Sequence, residues 1–429
     1  MESMNQVRSR SQETPDPQCG VVVGIDVSKS WIDYGAFRWG QRAPIKRVAQ
    51  NAAGFGELAS ALQGLAAQGA QVWVALEPTG PYSSCLREWL LSSGWRLVQV
   101  NPYHVNRTRE VRDNNPGCSD RKACRVIADL VWAGCYQSVV RLEGAYAQLR
   151  ALAGEWERLT RQHTALDNQF QALLALWFPE LGEIFRDTMC KSVRGIVRGY
   201  ASPPAVAQAR PAAVRRALQR ATTGRMGYKA AALREAAQRS VGVPQAAAEC
   251  RQALLTLVEL VEVIERCQAR LQAEFSTRLA QLPEAQALLS LPGLGVVGVA
   301  GLLGECGELS KFGSYQRLEK HLGLNLCQCS SGQWRGRTRI AKRGRSRARH
   351  LLCQLALGQI KRGGLYQEFA AGLKAKGKRG QEIQVAVARK FLRLLYALAR
   401  DRAKFDPQRF TAAQTEHGHS RQQEAPLAA

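Results

Sequence analysis

The chain has 429 residues, enough for two or three domains with their own cores. Its 60 Lys and Arg against 35 Asp and Glu give a formal charge of +25, an excess that strains a compact fold by self-repulsion and calls for a polyanionic partner. The sequence has no apolar run long enough to span a bilayer, no lipidation signal and no polybasic amphipathic terminus, so the expected polyanion is nucleic acid, with no membrane partner.

The opening MESMNQVRSRSQETPDPQ is polar and lacks the apolar core of a secretory signal, which leads us to expect a cytoplasmic protein. The 12 cysteines fit that compartment as reduced, mostly buried small residues. Residues 1–18 and 406–429 are rich in Gln, Ser, Pro and charge and are expected to be disordered ends. Three differently patterned regions lie between them.

In residues 19–140, CGVVVGIDV suits a buried strand ending on Asp26, and WIDYGAFRW alternates as a second strand of a hairpin. FGELASALQGLAAQG has a helical pattern closing at glycine, and QVWVALEPTG is a strand that breaks at Glu77-Pro78. YSSCLREWLLSSG (helix), RLVQVNP (strand) and RKACRVIADLVWAG (helix) follow. That order gives an α/β domain with a mixed sheet opened by a hairpin.

Residues 141–285 are expected to be helical. Leu149, Leu152, Trp156, Leu159, His163, Leu166, Phe170, Leu173 and Trp177 form a heptad seam that breaks at Pro179. It resumes through Leu254, Leu257, Val261, Ile264, Leu271, Phe275 and Leu282. Two such halves suit either an antiparallel hairpin or a dimerising coiled coil. His163, with no ligand-spaced neighbour, is a polar residue on the seam. Residues 286–405 form a mainly α region opened by LLSLPGLGVVGVAGLLGECG, similar to a helix-hairpin-helix whose helix N-terminus accepts phosphate; the competing reading is a tight turn between packed helices.

Phosphodiester chemistry assisted by divalent ions needs several carboxylates converging on one point, and hard oxygen ligands suit Mg²⁺. Asp26 and Glu77 each end a strand, and on parallel neighbours both would project from one sheet edge. Asp120 opens the RKACRVIADL helix and equally suits an N-cap. Cys327 and Cys329, a lone C-x-C pair, do not make a zinc site. Farther on, Ser330-Ser331-Gly332 precedes RGRTRIAKRGRSRAR, where Arg335, Arg337, Arg339, Lys342, Arg343, Arg345, Arg347 and Arg349 accumulate. By composition the serines form a turn, and the basic run binds phosphate backbone, giving affinity without sequence reading. Trp334 suits either stacking on a base or packing.

GIDVSK, ALEPTG, NPYHVNRTREVRDNN, SDRK and RVIADL, in that order, resemble the amino-terminal domain of the DEDD insertion-sequence transposases. These are relatives of the Piv DNA invertase, known as bridge-RNA-guided serine recombinases. LPGLGVVGVAGLLGECGELSKF, HLGLNLCQCSSG and RIAKRGRSRARHLL resemble the second conserved domain of that family. The resemblance implies a RuvC-like, ribonuclease-H-like first domain in which Asp26, Glu77 and Asp120 hold Mg²⁺. It implies that Ser331, or failing it Ser330, is the nucleophile that forms a phosphoserine link to DNA. It further implies a structured non-coding guide RNA, and the helical middle would assemble a homo-oligomer, a dimer or tetramer.

One departure stands out. The family's fourth acid lies three residues after the third, in Asp-x-x-Asp, and here that position is Ala123. Asp129, nine residues beyond Asp120, lies on about the opposite helical face and does not substitute. Cys118 stands where the family often has Lys. The missing acid implies impaired catalysis and keeps two alternatives open: a catalytically impaired RNA- and DNA-binding remnant, or a RuvC-like metal nuclease without serine chemistry.

Overall fold

The computed structural model describes residues 13–410 except 79, 114–118, 140, 223, 244–246, 329, 332–333, 337 and 362, with backbone alone for 111–113, 121, 247, 330 and 334–335. The chain divides into two compact units, Met1–Arg141 and Leu142–Ala429.

In the first unit the apolar run β1 (Gly20–Val27) turns into β2 (Trp31–Phe37), and the edge strand β3 (Lys46–Ala49) follows. Helix α1 (Ala52–Ala67), β4 (Gln71–Leu76), α2 (Tyr82–Ser92) and β5 (Leu97–Gln99) come next. Helices α3 (Pro102–Asp113) and α4 (Asp120–Trp132) and the short β6 (Gln137–Ser138) complete it. The six strands form one mixed sheet in the order β3-β2-β1-β4-β5-β6, with β1, β4 and β5 parallel. Strand periodicity sends Val21, Val23, Ile25 and Val27 to one face, against Leu58 and Leu62 of α1 and Leu86 and Leu90 of α2. Val22, Trp73, Ala75 and Val98 line the other face, under Cys124, Ile127, Ala128 and Val131 of α4. Helix α4 crosses β1 so closely that a Cβ at Gly24 would lie 2.0 Å from the Cys124 carbonyl oxygen, which is why a glycine interrupts the valine run.

This is the expected α/β domain with a mixed sheet opened by a hairpin. Two elements have no clear sequence signal: β3, a short charged edge strand, and α3, which is polar nearly all round. Asp16 accepts from the Gly20 amide at 2.7 Å and Tyr136 Oη donates to the Glu13 carbonyl, so the described residues before β1 are held against the sheet. Residues 1–12 lie outside the described residues.

The second unit is mostly helical and is organised by α5 (Gly144–Trp177) and a later long helix. Between them come α6 (Leu181–Ile184), α7 (Lys191–Gly199), α8 (Pro203–Gln208), α9 (Pro211–Ala221) and α10 (Ala230–Gln238). The long return helix is α11 (Ala247–Leu279). Trp156 packs on Phe275 with ring centroids 5.9 Å apart, and Gln268 donates to Thr160 at 3.3 Å, so residue numbers fall on one helix as they rise on the other. The two halves of the heptad seam therefore pair antiparallel within the chain. At one end of this pair, Phe170, Leu174 and Trp177 share a core with Val193, Ile196, Leu218, Leu233, Leu254 and Val258. The nearly buried Arg194 there forks onto Glu265 at 2.8 and 2.6 Å and pins α7 to α11.

At the other end, Leu149 and Phe275 join the core of the carboxy-terminal helices. These are α12 (Ala285–Leu289), α13 (Val296–Cys306), α14 (Tyr315–Leu322), α15 (Ser346–Ile360), α16 (Gln367–Ala375) and α17 (Gly380–Asp401). Short strands β7 (Leu326–Cys327), β8 (Ser330–Ser331), β9 (Trp334–Arg335) and β10 (Arg339–Ile340) lie between α14 and α15. In the LPGLG segment Gly293 supplies a φ of +80°, and α13 behind it is buried from Gly298 to Cys306. The segment is thus a tight turn that feeds the central helix of this core.

Phe410, the last described residue, packs on Tyr366 and Phe405. Residues 411–429 lie outside the described residues. No helix among the described residues is long and apolar enough to cross a membrane.

Candidate active site

A row of charged residues crosses the sheet of the first unit. Asp26 on β1 is the direct cross-strand neighbour of Asp33 on β2, and Asp33 that of Arg47 on β3. Directly paired residues of antiparallel strands share a face, so these three lie together. Ile25 pairs with Leu76, and the next residues, Asp26 and Glu77, therefore leave parallel neighbours side by side. This is the sheet edge at which open α/β sheets build their sites. Asp120 reaches the row from the first turn of α4. It does not cap that helix: Ser119 does, accepting from the Lys122 amide, which leaves the Asp120 carboxylate for the row.

Arg47 organises one end. Its Nε donates to Asp33 at 2.9 Å, and its Nη2 donates to Asp33 at 2.8 Å and to Asp120 at 2.8 Å. Asp33 is buried, so this fork supplies the cation that a buried carboxylate requires. Arg109 of α3 serves the other end, 3.9 Å from Glu77. Burial pushes the Asp26 carboxyl above its ordinary range; repulsion from Asp120 adds to the rise and Arg109 opposes it. Burial raises Glu77 as well, with Arg109 opposing and Asp26 adding. Acids that repel one another in a half-buried place are acids poised for more positive charge than the protein supplies.

The donor set, all carboxylate oxygen, fits a hard divalent ion. The site is not closed as it stands: among the described residues no three acidic, His or Cys groups are set close enough to ligate one ion. Asp120 is held by Arg47 and would have to leave it to join such a set. Ala123, one turn after Asp120, is only 1% exposed and faces the protein interior, whereas the Asp120 side chain is 59% exposed. The position of the absent fourth acid is therefore deeper than that of the third.

Ser331 sits in the second unit on an exposed hairpin, paired with Trp334, and Ser330 pairs with Arg335. Gly332 and Arg337, and the side chains of Ser330, Trp334 and Arg335, lie outside what is described. In the basic run Arg339, Lys342, Arg343 and Arg345 are exposed. Arg347 and Arg349 have structural work: Arg347 bonds Glu157 and lies 3.5 Å from the buried Glu305, and Arg349 donates to the Leu322 carbonyl at 2.9 Å. From Arg339 to Arg345 the cations of the run are thus exposed, and its end is anchored on α15.

Sequence reasoning missed Asp33, Arg47 and Arg109. Asp33 did leave a signal, since it is an acid inside the apolar alternation of WIDYGAF, and hairpin pairing places it opposite Asp26. Arg47 and Arg109 lie on the two elements that the pattern did not reveal.

Residues 23–179 match a transposase family of the DEDD IS110 type, and residues 285–370 match the family described as "Transposase IS116/IS110/IS902 family". The chain is 26% identical over 378 residues to the insertion element IS900 uncharacterized 42 kDa protein of Mycobacterium paratuberculosis, covering 87% of this chain and 94% of that protein. It is 25% identical over 348 residues to the insertion element IS116 uncharacterized 44.8 kDa protein of Streptomyces clavuligerus, covering 78% and 84%. With a charged row on a mixed sheet in its first unit and a helical second unit, the chain carries, in order, the two transposase domains of the IS110/IS116/IS902 insertion-element family.

Proposed function

We propose that the protein is a DNA transposase of an insertion element that cuts and rejoins strands through a covalent phosphoserine. The observation that carries this reading is the row Asp26, Asp33 and Arg47 with Glu77 and Asp120 at one sheet edge. Asp26 and Glu77, joined by Asp120 once it leaves Arg47, would hold Mg²⁺. When bound, the ion polarises the phosphoryl oxygens and stabilises charge developing on the leaving oxygen. The acids themselves fix where the phosphate lies and keep its negative charge from being repelled only when that ion accompanies them.

Ser331 Oγ attacks the phosphorus: one Oγ–P bond forms, one P–O ester bond of the DNA breaks, the serine proton passes to solvent and the leaving oxygen takes a proton up. A DNA hydroxyl attacking the phosphoserine reverses the exchange and releases Ser331. Arg335, Arg337, Arg339, Lys342, Arg343 and Arg345 hold the strand by its phosphates, without reading bases. Sequence choice falls to a structured non-coding RNA that pairs with DNA. The acids and the serine must reach the same phosphate, within one chain or across two subunits of a homo-oligomer.

Ala123 favours a second reading, in which this copy binds RNA and DNA but does not cut. Nicking of DNA that carries the element ends, with the flanking RNA and Mg²⁺, separates the two. The proposal expects nicking that Asp26→Asn abolishes; binding without nicking supports the second reading.

A further inference from the structure

The segment between the two long helices carries a second concentration of positive charge. From Thr188 to Arg234 the sequence has no Asp or Glu, whereas Lys and Arg recur throughout. Some of these cations have structural work. Arg194 and Arg198 fork onto Glu265 and Glu262 of α11, Lys229 donates to the Ile184 carbonyl at 2.6 Å and Arg234 to the Ala207 carbonyl at 3.2 Å. Arg215, Arg216 and Arg220 of α9, and Arg225 just after it, have none. All four are exposed, and their side chains make no ion pair or hydrogen bond among the described residues.

Helix α9 buries Val214 and Leu218 in the core shared with Phe170 and Leu174, so helical periodicity turns Arg215, Arg216, Gln219 and Arg220 together to the outside. Arg216 and Arg220 stand one turn apart, where like charges repel unless an anion lies between them. The chain after α9 folds back beside this face. The Gly224 amide donates to the Gln219 carbonyl at 2.8 Å, and a Cβ at Gly227 would lie 3.2 Å from Arg215 Cγ and 3.0 Å from Gln219 Cγ. Tyr228, next in the chain, therefore stands at the edge of the arginine face. It is 72% exposed and, among the described residues, its side chain makes no ring contact or hydrogen bond.

Arginines without partners beside an uncovered aromatic ring are what an unpaired strand requires. The guanidinium groups take the phosphates and the ring takes a base face, which in a duplex is already covered by neighbouring bases. The surface is separate from the basic run: Glu157, where Arg347 meets α5, and Leu174, which shares the core of α9, lie about 25 Å apart along α5 at 1.5 Å per residue. We propose that α9 and the Tyr228 turn form a second nucleic-acid site, which binds an unpaired stretch of RNA. It rests on the transposase reading only in naming RNA: there the DNA is a duplex taken up at the basic run, and the loops of a structured RNA supply the unpaired bases.

The test is fluorescence anisotropy of the full-length protein with a labelled riboadenylate dodecamer, without Mg²⁺, with element-end duplex DNA in excess to occupy the basic run and circular dichroism to establish folding. The dodecamer is expected to bind alongside the duplex. In the triple variant Arg216→Ala, Arg220→Ala and Arg225→Ala, the slope of log affinity against log salt flattens by about 2, at roughly 0.7 for each single-strand phosphate contact. Tyr228→Ala weakens binding about 10-fold at an unchanged slope, and Tyr228→Phe, which keeps the ring, binds like the parent. Displacement of the dodecamer by the duplex, or a triple variant that keeps the slope of the parent, overturns the site. Equal loss in Tyr228→Phe and Tyr228→Ala, or no loss in either, overturns the unpaired strand. Tighter binding of a deoxyriboadenylate dodecamer, lost in the triple variant, assigns the surface to single-stranded DNA and overturns RNA. None of these measurements needs strand cleavage, so a parent that does not nick refutes the transposase reading while binding still decides this site.

Discussion

Ala123→Asp tests whether position 123 belongs to the acid row. Ala123 is 1% exposed and lies one turn from Asp120 on the face of α4 turned to β1 and β2. A carboxylate introduced there loses its hydration and meets Asp120, with Asp26 and Asp33 nearby. Full burial raises a carboxyl pKa by about 3–5 units, and about 1.4 kcal/mol per unit makes the ionised form cost roughly 4–7 kcal/mol at neutral pH. The helix N-terminus and Arg47 close by favour the lower end, about 4 kcal/mol. At roughly 3 °C per kcal/mol, the first unit should melt about 12 °C lower in chelator. A divalent ion at 100 times its dissociation constant returns about 2.7 kcal/mol, so Mg²⁺ should recover more than half of the loss. The assay is differential scanning calorimetry in chelator and in Mg²⁺, alongside strand nicking, which should rise above that of the parent. A variant that melts like the parent in chelator, or gains nothing from Mg²⁺, refutes the placement of position 123 in the site. Equal nicking by both forms refutes the need for a fourth acid.

Three further outcomes follow from the charges. Asp26 and Glu77 both titrate above their ordinary values, so the folded state binds these protons more tightly than the unfolded chain, and stability from these groups falls as pH rises from the ordinary carboxylate range to the raised values. Glu77→Gln should therefore melt at the same temperature as the parent at acid pH and above it at neutral pH in chelator; a gap that stays constant with pH contradicts the assignment. In the basic run, Arg339→Ala and Lys342→Ala should each flatten the slope of log affinity for DNA against log salt by about 0.9 without changing the melting temperature. Arg347→Ala should lower the melting temperature instead, because it removes the cation 3.5 Å from the buried Glu305 carboxylate and the bond to Glu157.

Much of the first unit is legible in the sequence because burial on both faces of a parallel strand writes itself as an apolar run, as in GVVVGIDV and QVWVAL. Strand β3 is not, because an edge strand of four residues with two cations carries no periodicity, and α3 is not, because a helix polar all round has none either. The acids at strand ends were visible as Asp26 and Glu77. Their arginines were not, since each sits on one of those two silent elements. The heptad seam was plain along α5 and α11, but a seam states only that two helices meet; the Trp156–Phe275 and Gln268–Thr160 contacts place both in one chain and antiparallel. In the basic run, composition makes eight cations look alike, whereas the structure ties Arg347 and Arg349 to Glu157, Glu305 and Leu322, which are remote in sequence.

The central claim is that the charged row and Ser331 act on one DNA phosphate. It is tested most directly by incubating the full chain with element-end DNA, its flanking RNA and Mg²⁺, then denaturing and looking for DNA that stays with the protein. The account predicts a covalent adduct that disappears in Ser331→Ala and in Glu77→Gln. Strand cleavage with no adduct, or an adduct that persists in Ser331→Ala, contradicts it.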